Sequence, residues 1–526
     1  MKIVIFALLL ALGLGLKAQH TNILISDVPS PEIPYDSPEE PSIAINPANP
    51  DHMIAGANLN HIYVTFNGGV TWSQSFLSSA SHGVWGDPCL AFDNFGHVYY
   101  LHLANPPAGM GEWIDRIVCQ RSDDGGLTWN DGSAIGINGI KAQDKQWVTI
   151  DPSSGTLYVT WTQFDNYGSS STLDSSAIMF SKSTDFGVTW STALRISHFA
   201  GNCIDDDDTP EGAMPALGAS GDIFVTWSFN NKLWMNKSSD GGITWLPQET
   251  LIGTQPGGWA YDIPGLSRCN GLPVLYSDMG NSSWHGNLYL NWSDQRNGTT
   301  DTDVWFKRST DNGLTWSPDL RVNNDAPGKH QFMSWMAVDQ ITGFIWIVYY
   351  DRRDYTLNYT DVYLAVSRDG GLNFTEFKIS ETAFNPYPSV FFGDYTNISA
   401  HNNIIRPIWA RQHMGELSIY TAMVDTIVSA PAINLIPFAE MDPGYPNPFD
   451  EQAYFTVKLH QSGKLNIDVL DYRGIVVQTI VKEETYPAGK YIFHFQPNNS
   501  SIASGVYMVR MRTEDKVICR KIVYKK

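Results

Sequence analysis

Short apolar runs that end at glycine, aspartate or asparagine follow one another along most of the chain. Residues 146–197 show the arrangement: QWVTID, TLYVTWTQF and AIMFSKS are three runs rich in β-branched and aromatic residues, and WSTALRIS follows a glycine-containing turn. Runs of this length and composition are typical of β-strands, and no helical period accompanies them. The pattern therefore predicts an all-β protein.

The turn before the fourth run recurs as one short phrase. The copies are TFNGGVTW (65–72), SDDGGLTW (122–129), STDFGVTW (183–190), SSDGGITW (238–245), STDNGLTW (309–316) and SRDGGLNF (367–374). A repeat of this size indicates a β-propeller with one four-stranded blade per repeat. Glycine permits positive φ in the turn, and the acid or amide can accept the turn's own amide hydrogens. We expect these positions to be structural: Asn67, Asp124, Asp185, Asp240, Asp311 and Asp369.

The phrase is an Asp box, and the sequence resembles the sialidase (BNR-repeat) family of propellers. The resemblance implies a propeller over residues 19–430, but other glycosidases and non-catalytic propellers carry the same box. Three strands without a box follow the sixth copy, and HTNILISD (20–27) could supply a fourth and close the ring. Residues 19–430 divided by seven give about 59 per blade, close to the period. We expect seven blades, with six as the alternative.

The pattern changes beyond residue 430. A Pro-rich linker (431–445) precedes short alternating strands (446–526), which predict a small C-terminal β-sandwich. YPNPF, an Asp-x-x-Gly turn (Asp471 to Gly474), IASGVY and a basic last strand resemble the sorting domain of the Bacteroidetes type IX secretion system. That resemblance implies the secretion machinery as a partner and export across the outer membrane, followed by release or surface attachment. The alternative is a β-sandwich of unrelated role.

Charge and the first residues agree with export. Residues 1–18 combine Lys2, an apolar run and Ala18, the pattern of a secretory signal peptide. No later apolar run is long enough to form a transmembrane helix. With 34 basic and 54 acidic residues the net charge is −20, which argues against nucleic acid or an anionic membrane as partner. The mature chain is therefore expected to be secreted or held at the cell surface.

Propeller geometry places the starts of the first strands and the ends of the second strands on the face opposite the boxes. Carboxylates stand at the starts of five first strands: Glu40, Asp87, Asp144, Glu211 and Asp394. Arginines stand at the ends of second strands: Arg296, Arg352, Arg353 and Arg411. Two interpretations remain open. The groups could pair and tie adjacent blades together, or they could form a glycan site in which arginines clamp an acidic sugar and a carboxyl with raised pKa donates a proton.

The resemblance to sialidases implies roles for particular residues. Tyr395 would be the nucleophile, Arg296 and Arg353 two members of an arginine triad, and Asp87 or Asp144 the general acid. The chain departs from the family at two points, since it lacks Arg-Ile-Pro near the first blade and a Glu shortly before Arg296. The expected function is a secreted, sialidase-like glycoside hydrolase acting on extracellular glycans. The alternatives are a non-catalytic propeller that binds glycan or protein, and a hydrolase of another class with a metal in the acidic mouth.

Three further features bear on ligands. Trp85, Trp113 and Trp259 lie in loops of the same face and could stack on sugar rings. The acidic loop Asp205, Asp206, Asp207 and Asp208 could bind Ca²⁺ or simply be solvated. Cys203 and Cys269 fall in neighbouring loops and could form a disulfide. Beyond the Ca²⁺ alternative, no motif for a metal or other cofactor occurs, and we expect none.

Overall fold

The computed structural model of the protein describes residues 20–26, 38–413, 415–425, 439–460, 462–471, 475–497, 502–513 and 517–526. The predicted signal peptide and most of the predicted linker lie outside these residues. The chain divides into two compact units, Met1–Ile427 and Val428–Lys526. Every regular element in the described residues is a β-strand, so the all-β prediction is confirmed. None of the described segments forms a helix with the length and apolarity that crossing a membrane requires.

The strands of the first unit form antiparallel sheets in which successive strands along the chain are neighbours. In chain order the strands are β1 (Asn22–Leu24); β2 (Ser42–Ile45), β3 (Met53–Ala57), β4 (His61–Thr65) and β5 (Ser73–Phe76); β6 (Cys89–Phe92), β7 (Val98–Leu103), β8 (Ile117–Ser122) and β9 (Ser133–Ile135); β10 (Ala142–Ile150), β11 (Leu157–Phe164), β12 (Ser176–Ser183) and β13 (Leu194–Arg195); β14 (Glu211–Leu217), β15 (Ile223–Phe229), β16 (Lys232–Ser238) and β17 (Thr250–Thr254); β18 (Val274–Ser277), β19 (Leu288–Asp294), β20 (Asp303–Ser309) and β21 (Leu320–Arg321); β22 (Gln331–Val338), β23 (Ile345–Asp351), β24 (Asp361–Ser367) and β25 (Thr375–Lys378); and β26 (Asn397–His401), β27 (Ile404–His413), β28 (Glu416–Ala422) and β29 (Val424–Asp425).

The first strands of these sheets contact one another in a closed cycle, from β2 through β6, β10, β14, β18 and β22 to β26 and back to β2. The last sheet takes its outer strand from the start of the chain, because β1 pairs with β28 in the register Asn22 to Ala422. Four-stranded sheets arranged in this way are the blades of a β-propeller. The cycle contains seven first strands, and the number of blades stays a prediction.

Large aromatic side chains of the second strands form much of the core. Five indoles are fully buried, those of Trp161, Trp227, Trp292, Trp346 and Trp409. The five tryptophans at the ends of the boxes are only half-buried. Burial of an indole removes a large apolar area from water, so the second strands and not the boxes carry most of this stabilisation.

The boxes are turns between third and fourth strands. In the second box, Asp124 Oδ1 accepts hydrogen bonds from Ser122 Oγ at 2.7 Å and from the Thr128 backbone N–H at 2.8 Å, and its Oδ2 accepts one from Thr128 Oγ1 at 2.6 Å. Gly125 and Gly126 have φ of 78° and 88°, values that favour glycine. The first box makes the same turn with Asn67 as the acceptor. The geometry of the turn therefore explains why the spacing within the phrase is the same from copy to copy.

The second unit contains two antiparallel sheets. Its strands are β30 (Ala439–Met441), β31 (Ala453–Leu459), β32 (Gly463–Leu470), β33 (Val476–Tyr486), β34 (Gly489–Phe495), β35 (Gly505–Arg512) and β36 (Val517–Tyr524). One sheet has the order β30-β31-β34 and the other β33-β32-β35-β36. Phe455, Val457, Ile467, Val469 and Met511 are buried in its core. This arrangement is the small sandwich that the alternating pattern predicts.

Candidate functional site

The first strands of several blades begin with an irregular backbone. Glu40, Asp87 and Lys145 have φ of 51°, 54° and 52°, although none is glycine. The pairing register shifts at the same place in β10, between Asp144 and Trp147, and in β14, between Glu211 and Met214. Bulges of this kind change the direction of side chains, and non-glycine residues at positive φ cost about 1–3 kcal/mol each. Three blades thus place a charged residue at a strained position beside the start of the first strand.

These strand starts open into a cavity of about 230 Å³, which we call the mouth cavity. It is lined by Glu39, Glu40, Asn58, Leu59, Trp85, Asp87, Leu103, Trp113, Ile114, Asp144, Lys145, Tyr167, Arg268 and Phe391. The lining residues come from strand starts, from fourth-to-first loops and from second-to-third loops. The boxes, which join third and fourth strands, contribute none of them.

Two cations hold one carboxylate at the base of this site. Lys145 Nζ lies 2.6 Å from Asp394 Oδ2, and Arg268 donates to both carboxylate oxygens of Asp394, with 2.7 Å between its Nε and Oδ1. The pKa of Asp394 is held below its usual range because these two cations outweigh the effect of burial. Arg268 also reaches Asp205 Oδ2 at 3.2 Å, which in turn accepts a hydrogen bond from the Tyr167 hydroxyl at 2.9 Å. Residues from several blades are therefore tied together here.

Other carboxyl groups of the site have raised pKa values. Burial raises the pKa of Glu39 to about 8, with the charges of Asp87 and Asp394 adding to the shift. Burial likewise raises the pKa of Asp144 to about 7, although Lys145 opposes it. The pKa of Glu211 is raised well above its usual value by burial and by the nearby Asp205 and Asp144. Carboxyl groups that hold a proton near neutral pH can act as general acids.

Asp87 differs from these groups in its contacts. Its backbone N–H donates to Asn58 Oδ1 at 2.7 Å, which fixes the strand start. Its Oδ2 is buried and has no hydrogen-bond partner among the described residues, and the nearest cation, Lys145 Nζ, lies 3.8 Å away. A buried acceptor without a donor is costly, so such an atom is a candidate for contact with a ligand or water.

Aromatic side chains form one wall of the mouth cavity. Trp85 and Trp113 meet edge to face with 5.9 Å between ring centroids, and Trp113 meets Tyr167 in the same way at 5.8 Å. Trp85 and Trp113 keep 37% and 45% of their surface exposed. Exposed indoles next to hydrogen-bonding groups suit the apolar face of a sugar ring. Trp259, in contrast, is buried and donates its indole N–H to the Thr209 carbonyl, so it is not part of this wall.

Tyr395 lies deeper, where it helps to close the centre of the ring. Its ring packs against Trp147 and Trp335 at centroid distances of 5.2 and 5.8 Å. The pKa of its hydroxyl is raised well above the usual value by burial and by the negative charges of Asp87, Glu40 and Asp394. Ionisation to a nucleophilic phenolate is disfavoured in this environment.

The predicted arginines lie outside the mouth cavity. Arg296 pairs with Asp294 at 2.6 Å and with Asp319 at 2.7 Å. Arg353 pairs with Asp351 at 2.7 Å and Glu376 at 2.5 Å. The ion pairs of each arginine lie within one blade and its fourth strand, and Arg296 also donates to the Thr254 carbonyl of the neighbouring blade at 3.3 Å.

The two remaining arginines are also engaged elsewhere. Arg352 is buried and donates to the Pro264 carbonyl and to Thr360 Oγ1. The guanidinium of Arg411 lies over the ring of Tyr420. None of the four residues is therefore placed to clamp a ligand in the mouth cavity.

The acidic loop and the cysteines have separate structural roles. Asp206 accepts from Asn202 and Asp207 from the Ala260 N–H, at 2.9 and 2.8 Å. Within the described residues, no group of three or more histidine, cysteine, aspartate or glutamate side chains is arranged to hold a metal. Cys203 and Cys269 are both buried free thiols, so the proposed disulfide is not formed.

The structure thus brings together the predicted Asp87, Asp144, Glu211, Asp394 and Tyr395, and adds residues that the sequence argument missed. Lys145 occupies the position in its blade that Glu40 and Asp87 occupy in theirs, so an alignment of strand starts without regard to charge would have found it. Arg268 lies in a loop outside the repeat, and no sequence signal distinguishes it.

Comparison with known proteins identifies the C-terminal segment. Residues 444–525 match the model of the family described as secretion system C-terminal sorting domain. The second unit is a type IX sorting domain. The protein is therefore exported to the cell surface or the medium. No curated protein sequence matches the chain.

Solved structures resemble the propeller in fold at low sequence identity. A Dyadobacter fermentans protein of unknown function is 12% identical, with 64% of this chain and 93% of that chain covered and a TM-score of 0.41. The NanB sialidase from Streptococcus pneumoniae is 11% identical, covering 70% and 75%, with a TM-score of 0.43. A PL25 ulvan lyase is 11% identical, covering 75% and 96%, with a TM-score of 0.46. At these values the likeness carries no argument about activity.

Proposed function

We propose that the propeller is an exported glycoside hydrolase whose reaction takes place in the mouth cavity. The observation that carries the proposal is the pair Asp144 and Asp87, which line one cavity and differ in their surroundings. Asp144 has a pKa of about 7, and Asp87 has an oxygen without a donor. Glycosidases need two carboxyl groups with unequal roles across the scissile bond. The indoles of Trp85 and Trp113 would hold the sugar ring beside them.

Two protons are transferred in the proposed reaction. Protonated Asp144 donates its proton to the glycosidic oxygen as the bond to the anomeric carbon breaks. Asp87 accepts a proton from the water that adds to that carbon, so the products are a free sugar and an alcohol. Lys145, whose ammonium lies between Asp394 and Asp87, would hold the orientation of both carboxylates.

A sialic acid substrate fits this site poorly. Sialidase chemistry needs guanidinium groups free to bind the sugar carboxylate, but Arg296 and Arg353 each pair with two carboxylates in their own blade. The buried Tyr395 is also surrounded by negative charge. We therefore place the substrate among glycans that lack a carboxylate at the reacting sugar.

A second function, glycan binding without turnover, is favoured by one observation. Lys145 and Arg268 both pair with Asp394, and Arg268 also pairs with Asp205, so ion pairs connect several blades as a structural brace would. In that case the aromatic wall would hold a glycan and the carboxyl groups would only shape the cavity.

The test is a panel of fluorogenic glycosides with neutral, amino and sialic acid sugars, applied to the full mature chain. Asp87→Asn and Asp144→Asn should each lower turnover by about 10²-fold or more, because acid–base catalysis contributes about 10²–10⁴-fold. Tyr395→Phe should keep most of the activity, and the solvent-exposed Asp262→Asn is the matched control.

If a folded protein hydrolyses none of the glycosides, hydrolysis is rejected in favour of binding without turnover. Activity on sialosides that is lost in Tyr395→Phe would reject the carboxyl mechanism. Thermal midpoints of all variants are needed, so that loss of folding is not mistaken for loss of catalysis.

A further inference from the structure

Carboxyl groups outnumber cationic groups in the lining of the mouth cavity. Four carboxyl side chains line it, those of Glu39, Glu40, Asp87 and Asp144. The two lining cations, Lys145 and Arg268, are both bound to Asp394, which is not among these four. The cavity therefore presents more carboxyl groups than cations to a ligand, and a bound cation would favour the ionised form of those carboxyl groups that otherwise hold a proton near neutral pH.

Carboxylate oxygens around this cavity also lack donors. Asp87 Oδ2, in the lining, and Asp205 Oδ1, whose other carboxylate oxygen contacts lining residues, are buried and have no hydrogen-bond partner in the described part of the chain. The side chain of Asp205 is only 8% exposed, and Asp205 contacts both Tyr167 and Arg268 of the cavity lining. Buried acceptors without partners are rare in native proteins. An ammonium group offers three donors and a positive charge, which would satisfy such atoms.

The raised pKa values of two lining carboxyl groups are those expected of a cation site without its cation. The pKa of Glu39 is raised to about 8, and that of Glu40 is raised well above its usual value, by burial and by neighbouring carboxylates. A cation bound in the cavity would offset the repulsion that contributes to both shifts.

The aromatic wall indicates which class of cation the mouth cavity would bind. Trp85, Trp113 and Tyr167 form a continuous surface beside the carboxyl groups, and indole faces attract both sugar rings and ammonium groups. The volume of about 230 Å³ is below the range of roughly 300–1,000 Å³ typical of drug-sized ligands. A terminal unit of a glycan suits such a space better than a long segment.

From these observations we infer that the mouth cavity selects a sugar with a free, unacetylated amino group. The inference deepens the proposed function, because it names the substrate class of the same site. The shared chemistry is a pyranose ring that carries an ammonium group, and two sources provide it: a free amino sugar and the end of a polysaccharide containing deacetylated units.

The test is binding by calorimetry at pH 7 to the full mature chain. The ligands are methyl glucosaminide, methyl N-acetylglucosaminide, methyl glucoside, methyl glucuronide and a glucosamine tetramer, with n-butylamine as an amine without a sugar. Methyl glucosaminide should bind at least tenfold more tightly than the acetylated and neutral sugars, and the glucuronide most weakly. Tighter binding of the tetramer would identify the polymer end as the source, and equal binding the free sugar.

Substitutions distinguish the contribution of charge to binding from the contribution of the sugar ring. Asp87→Asn and Glu39→Gln should each reduce the preference for the amine, whereas Trp113→Ala should weaken amine and neutral sugars alike. Asp262→Asn is the matched control and should change neither. Because Asp87 and Glu39 lie in different blades, a folding defect in one variant leaves the other as a test.

Three results would overturn the inference: absence of binding by any amino sugar, equal affinity for glucosaminide and glucoside, or equal affinity for n-butylamine. Its failure is distinct from failure of the proposed function. Amine-selective binding without turnover rejects hydrolysis alone, and turnover of neutral glycosides without amine preference rejects this inference alone.

Discussion

Replacing Lys145 by methionine tests whether the buried charge network holds the mouth of the propeller together. The Lys145 side chain is 4% exposed, and its Nζ lies 2.6 Å from Asp394 Oδ2 and 3.8 Å from Asp87 Oδ2. Removing one partner of a buried ion pair costs about 3–5 kcal/mol, because the other charge is left without compensation. Arg268 still pairs with Asp394, so we expect the lower end, about 3 kcal/mol.

The expected shift of the thermal midpoint follows from the size of the unit. An unfolding entropy of about 2.1 cal/mol/K per residue over roughly 400 residues converts about 3 kcal/mol into a fall of roughly 3–4 °C in Tm. Differential scanning calorimetry at pH 7 measures it. Lys141→Met is the matched control, because Lys141 pairs with Asp165 at 2.7 Å but is 37% exposed. A surface pair of this kind contributes about 0–1 kcal/mol.

The pH dependence gives the same experiment a second readout. The folded pKa of Asp394 is depressed, so its contribution to stability is present above the unfolded value of about 3.9 and is lost as the pH falls through the folded pKa. Without Lys145 the folded pKa rises, and the buried carboxyl can bind a proton in mild acid. The difference in Tm between wild type and Lys145→Met should therefore be largest at pH 7 and smaller at pH 4. A loss no greater than that of Lys141→Met, or a difference independent of pH, would refute the argument.

Three other outcomes follow from contacts already described. Arg353→Met should lower Tm without changing sugar affinity in calorimetry, because Arg353 braces its own blade against Glu376; a changed affinity would return it to the site. If Asp144 is the general acid, kcat/KM should fall as the pH rises through about 7, and a flat alkaline limb would exclude it. Asp124→Asn should be nearly neutral in Tm, since Asn67 already fills that place in the first box, whereas Asp124→Ala should destabilise; equal effects would contradict the turn geometry.

Local spacing was enough to predict the strands, the boxes and the acidic strand starts. In the second box every printed bond to the Asp124 carboxylate joins residues at most four apart, so the turn of the phrase contains its own geometry. The same regularity predicted that Asp87, Asp144, Glu211 and Asp394 would gather, because first strands of successive blades share one end of the ring.

The positions of the remaining site residues depend on how far each side chain lies from the axis of the ring. The sequence repeat does not encode that distance. Arg296 and Arg353 stand at the correct end of their strands, but their side chains turn outward to the fourth strand of the same blade. Arg268 reaches the centre from a loop of unrelated sequence and meets Asp394, which is 126 positions later. Cys203 and Cys269 were expected in neighbouring loops, yet both are buried free thiols, and spacing along the chain does not determine whether two sulfurs meet.

Strand β1 can pair with its partner strand only late in the synthesis of the chain. Its partner β28 comes almost 400 residues later, and until both are present the last sheet lacks its outer strand. Contacts between such distant positions are slow to form, because the loop-closure entropy must be offset before they stabilise the chain. Unpaired strand edges are also sites of aggregation. The ring of an exported chain can therefore close only after β28 has been synthesised, near the end of the propeller.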